Sequence, residues 1–168
     1  MAEPAYLKIT GAKQANITEG AGTMLSVGNM YTAAHPDESR IIEINHSLMI
    51  PKDPQSGQPT GQPVHEPICI TKLMDKSSPL LANALIDGED LTEVLVSFYR
   101  TSGTDFELYA TWKLEQAKCV GIKPTLPNIL DPTMEQYGQL EQVYFSYGKI
   151  SWDHVAGGTS GCGDFGSL

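Results

Sequence analysis

The chain has 168 residues, 20 acidic and 11 basic side chains, a net charge of −9 and a charged fraction of only 18%. That length suits one domain, which at this size buries roughly 70% of the surface its unfolded chain exposes and needs no covalent staple. The acidic balance and the lack of any basic run argue against nucleic acid, which needs Lys and Arg to displace phosphate counterions, and against attraction to anionic membranes.

"AYLKIT" (Ala5–Thr10) alternates and reads as a first strand. Gly11 to Ser39 is a long irregular connection rich in Gly, Thr, Asn and Ala. "RIIEINHSLMI" (Arg40–Ile50) reads as one strand, with Ile42, Ile44, His46 and Leu48 on one face and Ile41, Glu43, Asn45 and Ser47 on the other. "PKDPQSGQPTGQP" (Pro51–Pro63) has no apolar residue and is dense in Pro and Gly, so it is expected to project from the body as an extended arm.

"VHEPICITKLMD" (Val64–Asp75) reads as a strand, with Pro67 marking an edge position or a bulge. Within it Ile68, Ile70 and Lys72 alternate with Cys69, Thr71 and Leu73. A short helix over about 78–87 follows. Ser77 or Ser78 is the expected N-cap, Pro79 suits the first turn, Leu80, Leu81, Ala84 and Leu85 form an apolar stripe, and Gly88 ends it. No other helix is expected. "LTEVLVSFYR" and "FELYATWKLEQAKCVGIKP" are strands joined by a hairpin turn at "TSGTD". "LEQVYFSYGKISWDHV" reads as a last strand with large residues on both faces, and the Gly-rich ending over 156–168 is expected to be loose. The fold class is therefore mainly β: a barrel or sandwich of two antiparallel sheets with one short helix, forming a single domain over 1–168.

Catalytic and metal chemistry find little support. The four histidines (His35, His46, His65 and His154) have no i, i+2 or i, i+4 metal-pair spacing, and no Cys-x-x-Cys occurs. "GGTSGCG" lacks the following helix and the Lys that a phosphate loop needs. Asp87, Glu89 and Asp90 read as an exposed acidic turn. The three cysteines are widely spaced and odd in number, so no disulfide framework is expected; Cys69 and Cys119 read as buried and Cys162 as exposed. No catalytic residue, metal or cofactor is expected. A hydrolase built on His65 with Asp75 is the weakest of the alternatives. The N-terminal residues carry no secretory signature, and no apolar run approaches the roughly 20 residues of a membrane span. Synthesis in the cytoplasm, and export only by a route that reads no N-terminal signal, is the expectation.

"LMIPKDPQSGQPTGQPVHEPICITKLMDKSSPLLANAL" (Leu48–Leu85) resembles the Hcp family, the haemolysin-coregulated inner-tube proteins of bacterial type VI secretion. The matching positions are Ile50, Pro51, Asp53, Ser56, Gly57, Thr60, Gly61, His65, Pro67, Thr71, Lys72, Asp75, Ser77, Ser78, Pro79 and Leu81. The likeness resumes at Leu140, Glu141, Gln142, Tyr147, Ile150 and Trp152. The resemblance implies a β-barrel subunit that closes into hexameric rings and has no enzymatic activity. The rings would stack into a tube whose lumen carries or chaperones secreted effectors. Its partners would be itself, the type VI sheath, spike and baseplate proteins, and the effectors. The arm, with Pro51, Lys52, Asp53, Gln55, Ser56, Gly57, Thr60 and Gly61, becomes the candidate ring-stacking loop. His65, Pro67, Thr71, Lys72, Asp75, Ser77, Ser78, Pro79, Leu81 and Trp152 become structural positions. A monomeric β-barrel binding or chaperone module that does not assemble is the alternative.

Overall fold

The computed structural model describes residues 3–165. In chain order the elements are β1 (Ala5–Gly11), β2 (Ala15–Asn16), one helical turn α1 (Met24–Val27), β3 (Ser39–Asn45), β4 (Leu48–Met49), β5 (Val64–His65) and β6 (Ile68–Leu73). Helix α2 (Ser78–Asp87) follows. Then come β7 (Leu91–Ser102), β8 (Asp105–Glu115), β9 (Lys118–Thr125), β10 (Leu140–Ser146), β11 (Lys149–His154) and β12 (Thr159–Asp164).

Nine strands lie side by side in the order β12-β11-β8-β7-β1-β3-β6-β10-β9, β2 adds to β1, and β4 pairs with β5 in a separate ribbon. The order curls the sheet. β8 is third from one end of the path, yet Gln116 and Ala117 carry it directly into β9 at the other end. Likewise β10 passes into β11 through Tyr147 and Gly148. The two joints are tied together, since the Gly148 N–H donates to the carbonyls of Glu115 and Gln116, both at 3.2 Å. Gln116 has φ +52, a region few non-glycine residues adopt, which lets the chain turn the corner. Strands that switch sheets in this way close a sandwich over its own core. Leu7, Ile9, Ile68, Ile70, Val96 and Phe145 are fully buried inside it.

Helix α2 covers this core as its stripe predicts. Leu81 and Ala84 are fully buried, Leu80 and Leu85 pack against the cluster, and Gly88 closes the helix at φ +62 with its N–H turned back to Leu85 and Ala84 carbonyls. The two-residue turn Gly103–Thr104 joins β7 to β8, with Ser102 opposite Asp105 and Gly103 at φ +64.

Several expectations change. Arg40–Ile50 is not one strand. An irregularity between Ile41 and Glu43 in the pairing with β6 shifts the alternation, so Ile41 is buried while Ile42 is 47% exposed. The strand expected from Val64 breaks at Glu66–Pro67. Pro67 lies just before β6, which is itself central between β3 and β10, so it marks neither an edge nor a bulge within the strand. The long strand from Leu140 also divides. Glu141, Val143, Phe145 and Tyr147 point inward, and past the joint the inward residue is Ile150, so the parity changes. The ending expected to be loose is paired: β12 runs antiparallel to β11 with Cys162 opposite Ser151, and residues 166–168 of that span lie outside the described residues. One turn of helix, α1, was not foreseen.

Candidate functional site

The motif at the end of β6 builds a buried ionic anchor. Lys72 points inward from β6 directly opposite Glu141 of β10, and its side chain is fully buried. Its Nζ lies 2.6 Å from Glu141 Oε1 and 2.8 Å from Asp75 Oδ1. Asp75 accepts the Ser39 hydroxyl at 2.7 Å, the Ser77 N–H at 2.9 Å and the Ser77 hydroxyl at 2.5 Å. The Ser78 hydroxyl donates to Glu141 at 2.7 Å and accepts the Asp75 N–H at 3.0 Å. A buried charge is tolerable only when its lone pairs and protons are used, and here they are.

The anchor also corrects the expected cap. Ser77 is the N-cap, but its side chain makes no cap bond, because both serine hydroxyls go to the carboxylates. Asp75 places its negative charge at the positive end of α2 instead. Leu81 inserts into the core below, and Pro79 lies exposed in the first turn. Thr71 points away from the anchor, buried at 7% exposure with its hydroxyl unpartnered, between Glu43 of β3 and Gln142 of β10. His65 and Asp75 do not come together. The whole of β6, about 20 Å of extended chain, separates them, and Asp75 is committed to Lys72 and the serines.

The arm projects where β3 ends and β6 begins. Leu48 pairs with His65 and Met49 with Val64 at its root, and Lys52 bridges Pro59 further out. The tip orders itself. Asp53 accepts the Gln55 N–H and the Ser56 hydroxyl, both at 2.9 Å, and these bonds hold its carboxyl below the usual range. The Asp53 N–H donates to the Gln58 carbonyl, Gly57 turns back at φ +69, and the Thr60 N–H donates to the Pro51 carbonyl. Leu48, Met49, Ile50 and Val64 at the root remain exposed. At the opposite end of β6 lie the loops carrying exposed Met24, Leu25 and Tyr31, and Leu126, Ile129, Leu130 and Tyr137. The Lys76 N–H on the Ser26 hydroxyl and the pairing of Leu140 with Leu73 and Thr125 fix those loops there.

A third cluster escaped the sequence reading. The Tyr147 hydroxyl, in the β10–β11 joint, lies 2.7 Å from His46 Nε2 and 2.7 Å from His65 Nδ1. Phe165 packs against the His65 ring, and Trp152 packs against the core nearby. Burial pushes the Tyr147 phenol up to about 12. Burial, and then the neighbouring His65, lower His46; burial lowers His65. The only signal in the sequence was that the two histidines flank the arm.

Two smaller expectations also change. Glu89, read as part of an exposed turn, is buried and accepts the N–H groups of Lys13 and Gln14 at 2.7 and 2.8 Å. Burial would raise its carboxyl, but those donors hold it below the ordinary range. Cys119 is buried, its thiol pushed up to about 11 by burial, and Cys162 is exposed, but Cys69 is only half-buried. Among the described residues no group of three or more His, Cys, Asp or Glu could hold a metal ion, and no helix is long and apolar enough to cross a membrane.

Residues 6–154 match the family model "Type VI secretion system effector, Hcp". The chain belongs to the Hcp family. It is 52% identical over 167 residues to the "Major exported protein" of Pseudomonas aeruginosa, covering 98% of this chain and 96% of that one. A crystal structure of an Hcp protein superposes with a TM-score of 0.94 at 43% identity, over 98% of each chain. The secreted protein Hcp3 from Pseudomonas aeruginosa gives 0.82 at 43% identity, over 99% of this chain and all of that one. Hcp is a family of structural, secreted tube proteins, not of enzymes. An anchor with every polar group satisfied at one end of β6, and a self-ordered arm at the other, suits a structural part.

Proposed function

We propose that this Hcp chain is the repeating subunit of a type VI inner tube. Six copies close into a ring, rings stack head to tail through the arm, and effectors travel in the lumen. The sheath, spike and baseplate proteins are its partners in the apparatus. The chain is made in the cytoplasm and leaves through the apparatus.

The observation that carries this reading is the unlike character of the two ends of β6. One end bears the projecting arm with an apolar root. The other bears loops with exposed Met24, Leu25, Leu126, Ile129 and Leu130. Unlike ends make heterologous contacts, which continue from copy to copy rather than closing a two-fold pair. Pro51, Lys52, Asp53, Gln55, Ser56, Gly57, Thr60 and Gly61 supply the reaching surface, polar at its tip and so soluble before contact.

The test is the mass of the purified chain by light scattering, in the native form and with Asp53 to Gly61 deleted. The native chain is expected at six copies and, on concentration, at multiples of six. The deleted chain is expected to keep the ring and lose the multiples. A monomer at every concentration would favour the binding-module alternative, and loss of the ring itself on deletion would move the arm's role to contacts within it.

A further inference from the structure

We infer that His46 and His65, clamped on the Tyr147 hydroxyl at the root of the arm, form a proton-sensitive hinge that sets the arm's angle and makes contact between copies depend on pH. This rests on the stacking role proposed for the arm.

The geometry is specific. His46 lies just before β4 and His65 lies in β5, so both legs of the hairpin end on one phenol oxygen. That phenol is fixed in turn, because Tyr147 sits in the β10–β11 joint and is only 5% exposed. Phe165, held at the end of β12 by its N–H on the Gly148 carbonyl at 2.8 Å, closes over His65 and Tyr147. Further out, the arm is held to itself, by the Lys52–Pro59 bridge and the Asp53 and Thr60 bonds. Its direction relative to the body is therefore set at the root.

A neutral imidazole offers one N–H and one bare nitrogen, while a phenol gives one proton and accepts at its lone pairs. With both rings neutral, Tyr147 donates to one and accepts from the other. A proton added to the accepting ring turns both rings into donors, and the buried phenol proton loses its partner. The rings are 6.4 Å apart between centroids, so two cations there also repel. One facing group works against this, the Glu66 carboxylate, which favours protonated His46 but less than burial and His65 disfavour it. Among the described residues Glu66, in the link to β6, is the one carboxylate lining the cavities beside them. Cys69 of β6, Tyr144 of β10 and Cys162 of β12 complete the titratable lining, and Trp112 of β8 stands uncharged beside His46. The neutral forms are already favoured by burial, so the change falls on the acid side of an ordinary histidine and the arm loosens as pH drops.

Two readouts test this on the full chain. Hydrogen exchange of the 51–65 amides, corrected for intrinsic rate, is compared at about pH 7.5 and about pH 5.5. Opening of the arm is expected to rise roughly tenfold at the lower pH in the native chain. It is expected to stay flat in the His46→Gln/His65→Gln double variant, whose amides still donate to and accept from the phenol. No rise in the native chain, or a rise that survives in the double variant, overturns the hinge. Association is then followed at both pH values, in the native chain and with Asp53 to Gly61 deleted. Association that needs the arm and weakens at low pH only when the histidines are present supports the inference. Association that needs the arm but ignores pH overturns it. Association that the deletion leaves untouched overturns the stacking role instead, and the exchange result then judges the hinge as a local device.

Discussion

Replacing Lys72 by Met keeps an unbranched side chain, one heavy atom shorter, and removes the charge. In the native chain Lys72 Nζ stands between two buried carboxylates, 2.6 Å from Glu141 and 2.8 Å from Asp75. Without it, the two carboxylates are left buried with serine and backbone donors but no cation. Breaking a buried ion pair by removing one partner costs about 3–5 kcal/mol, because a charge is left uncompensated. A domain of this kind has roughly 5–15 kcal/mol in all, so the loss is a large share. Urea unfolding of both chains at neutral pH and one fixed protein concentration measures it, since any self-association of the folded chain would add to its apparent stability. A Lys72→Met chain within about 1 kcal/mol of native at neutral pH would refute the account of the anchor as a compensated ionic cluster.

Leu81 is fully buried in the core beneath α2, so Leu81→Ala is expected to destabilise by about 2–5 kcal/mol in the same unfolding assay. Thiol reagents at neutral pH are expected to label Cys162 in the native chain at once and Cys119 only on unfolding, since Cys119 is buried and its thiol is pushed up to about 11. Half-buried Cys69 should fall between them, and mass spectrometry of peptides from a time course reads all three.

The sequence carried the helix almost completely. Leu80, Leu81, Ala84 and Leu85 at helical spacing, with Pro79 early and Gly88 late, leave few alternatives, and the observed span Ser78–Asp87 follows. The inward set Ile68, Ile70 and Lys72 was also legible, because β6 is regular throughout. Alternation failed where the backbone is irregular. The shift between Ile41 and Glu43, and the joint at Tyr147 and Gly148, each change which residues face inward, and no side-chain pattern marks either place. β12 escaped for another reason. "TSGCGD" has little apolar surface, so its pairing with β11 rests on backbone hydrogen bonds that composition does not advertise. The family likeness singled out Lys72, Asp75, Ser77, Ser78 and, far along the chain, Glu141, but not Ser39; Ser39 and Glu141 lie 33 residues before and 69 after Lys72, and only the fold joins them to it.

An apolar residue at position 72 would fill the core with less desolvation cost, so the buried lysine needs a reason. The register supplies one. A slip of β6 by one residue would turn Lys72 out and Thr71 in, breaking the pairing with Glu141 and leaving both Asp75 and Glu141 without a cation. A purely aliphatic strand would lose less by the same slip. The cluster thus specifies one alignment of β6 against β10, and through Asp75 and the serines it fixes where α2 begins. The arm leaves the body at the other end of β6, so the alignment held at the anchor also decides where His65 meets Tyr147. One end of the strand sets position with charges locked in the core, and the other presents a polar hairpin on two titratable rings. On the proposed tube role, a subunit that meets identical neighbours repeatedly needs the first to be invariant before the second can be tuned.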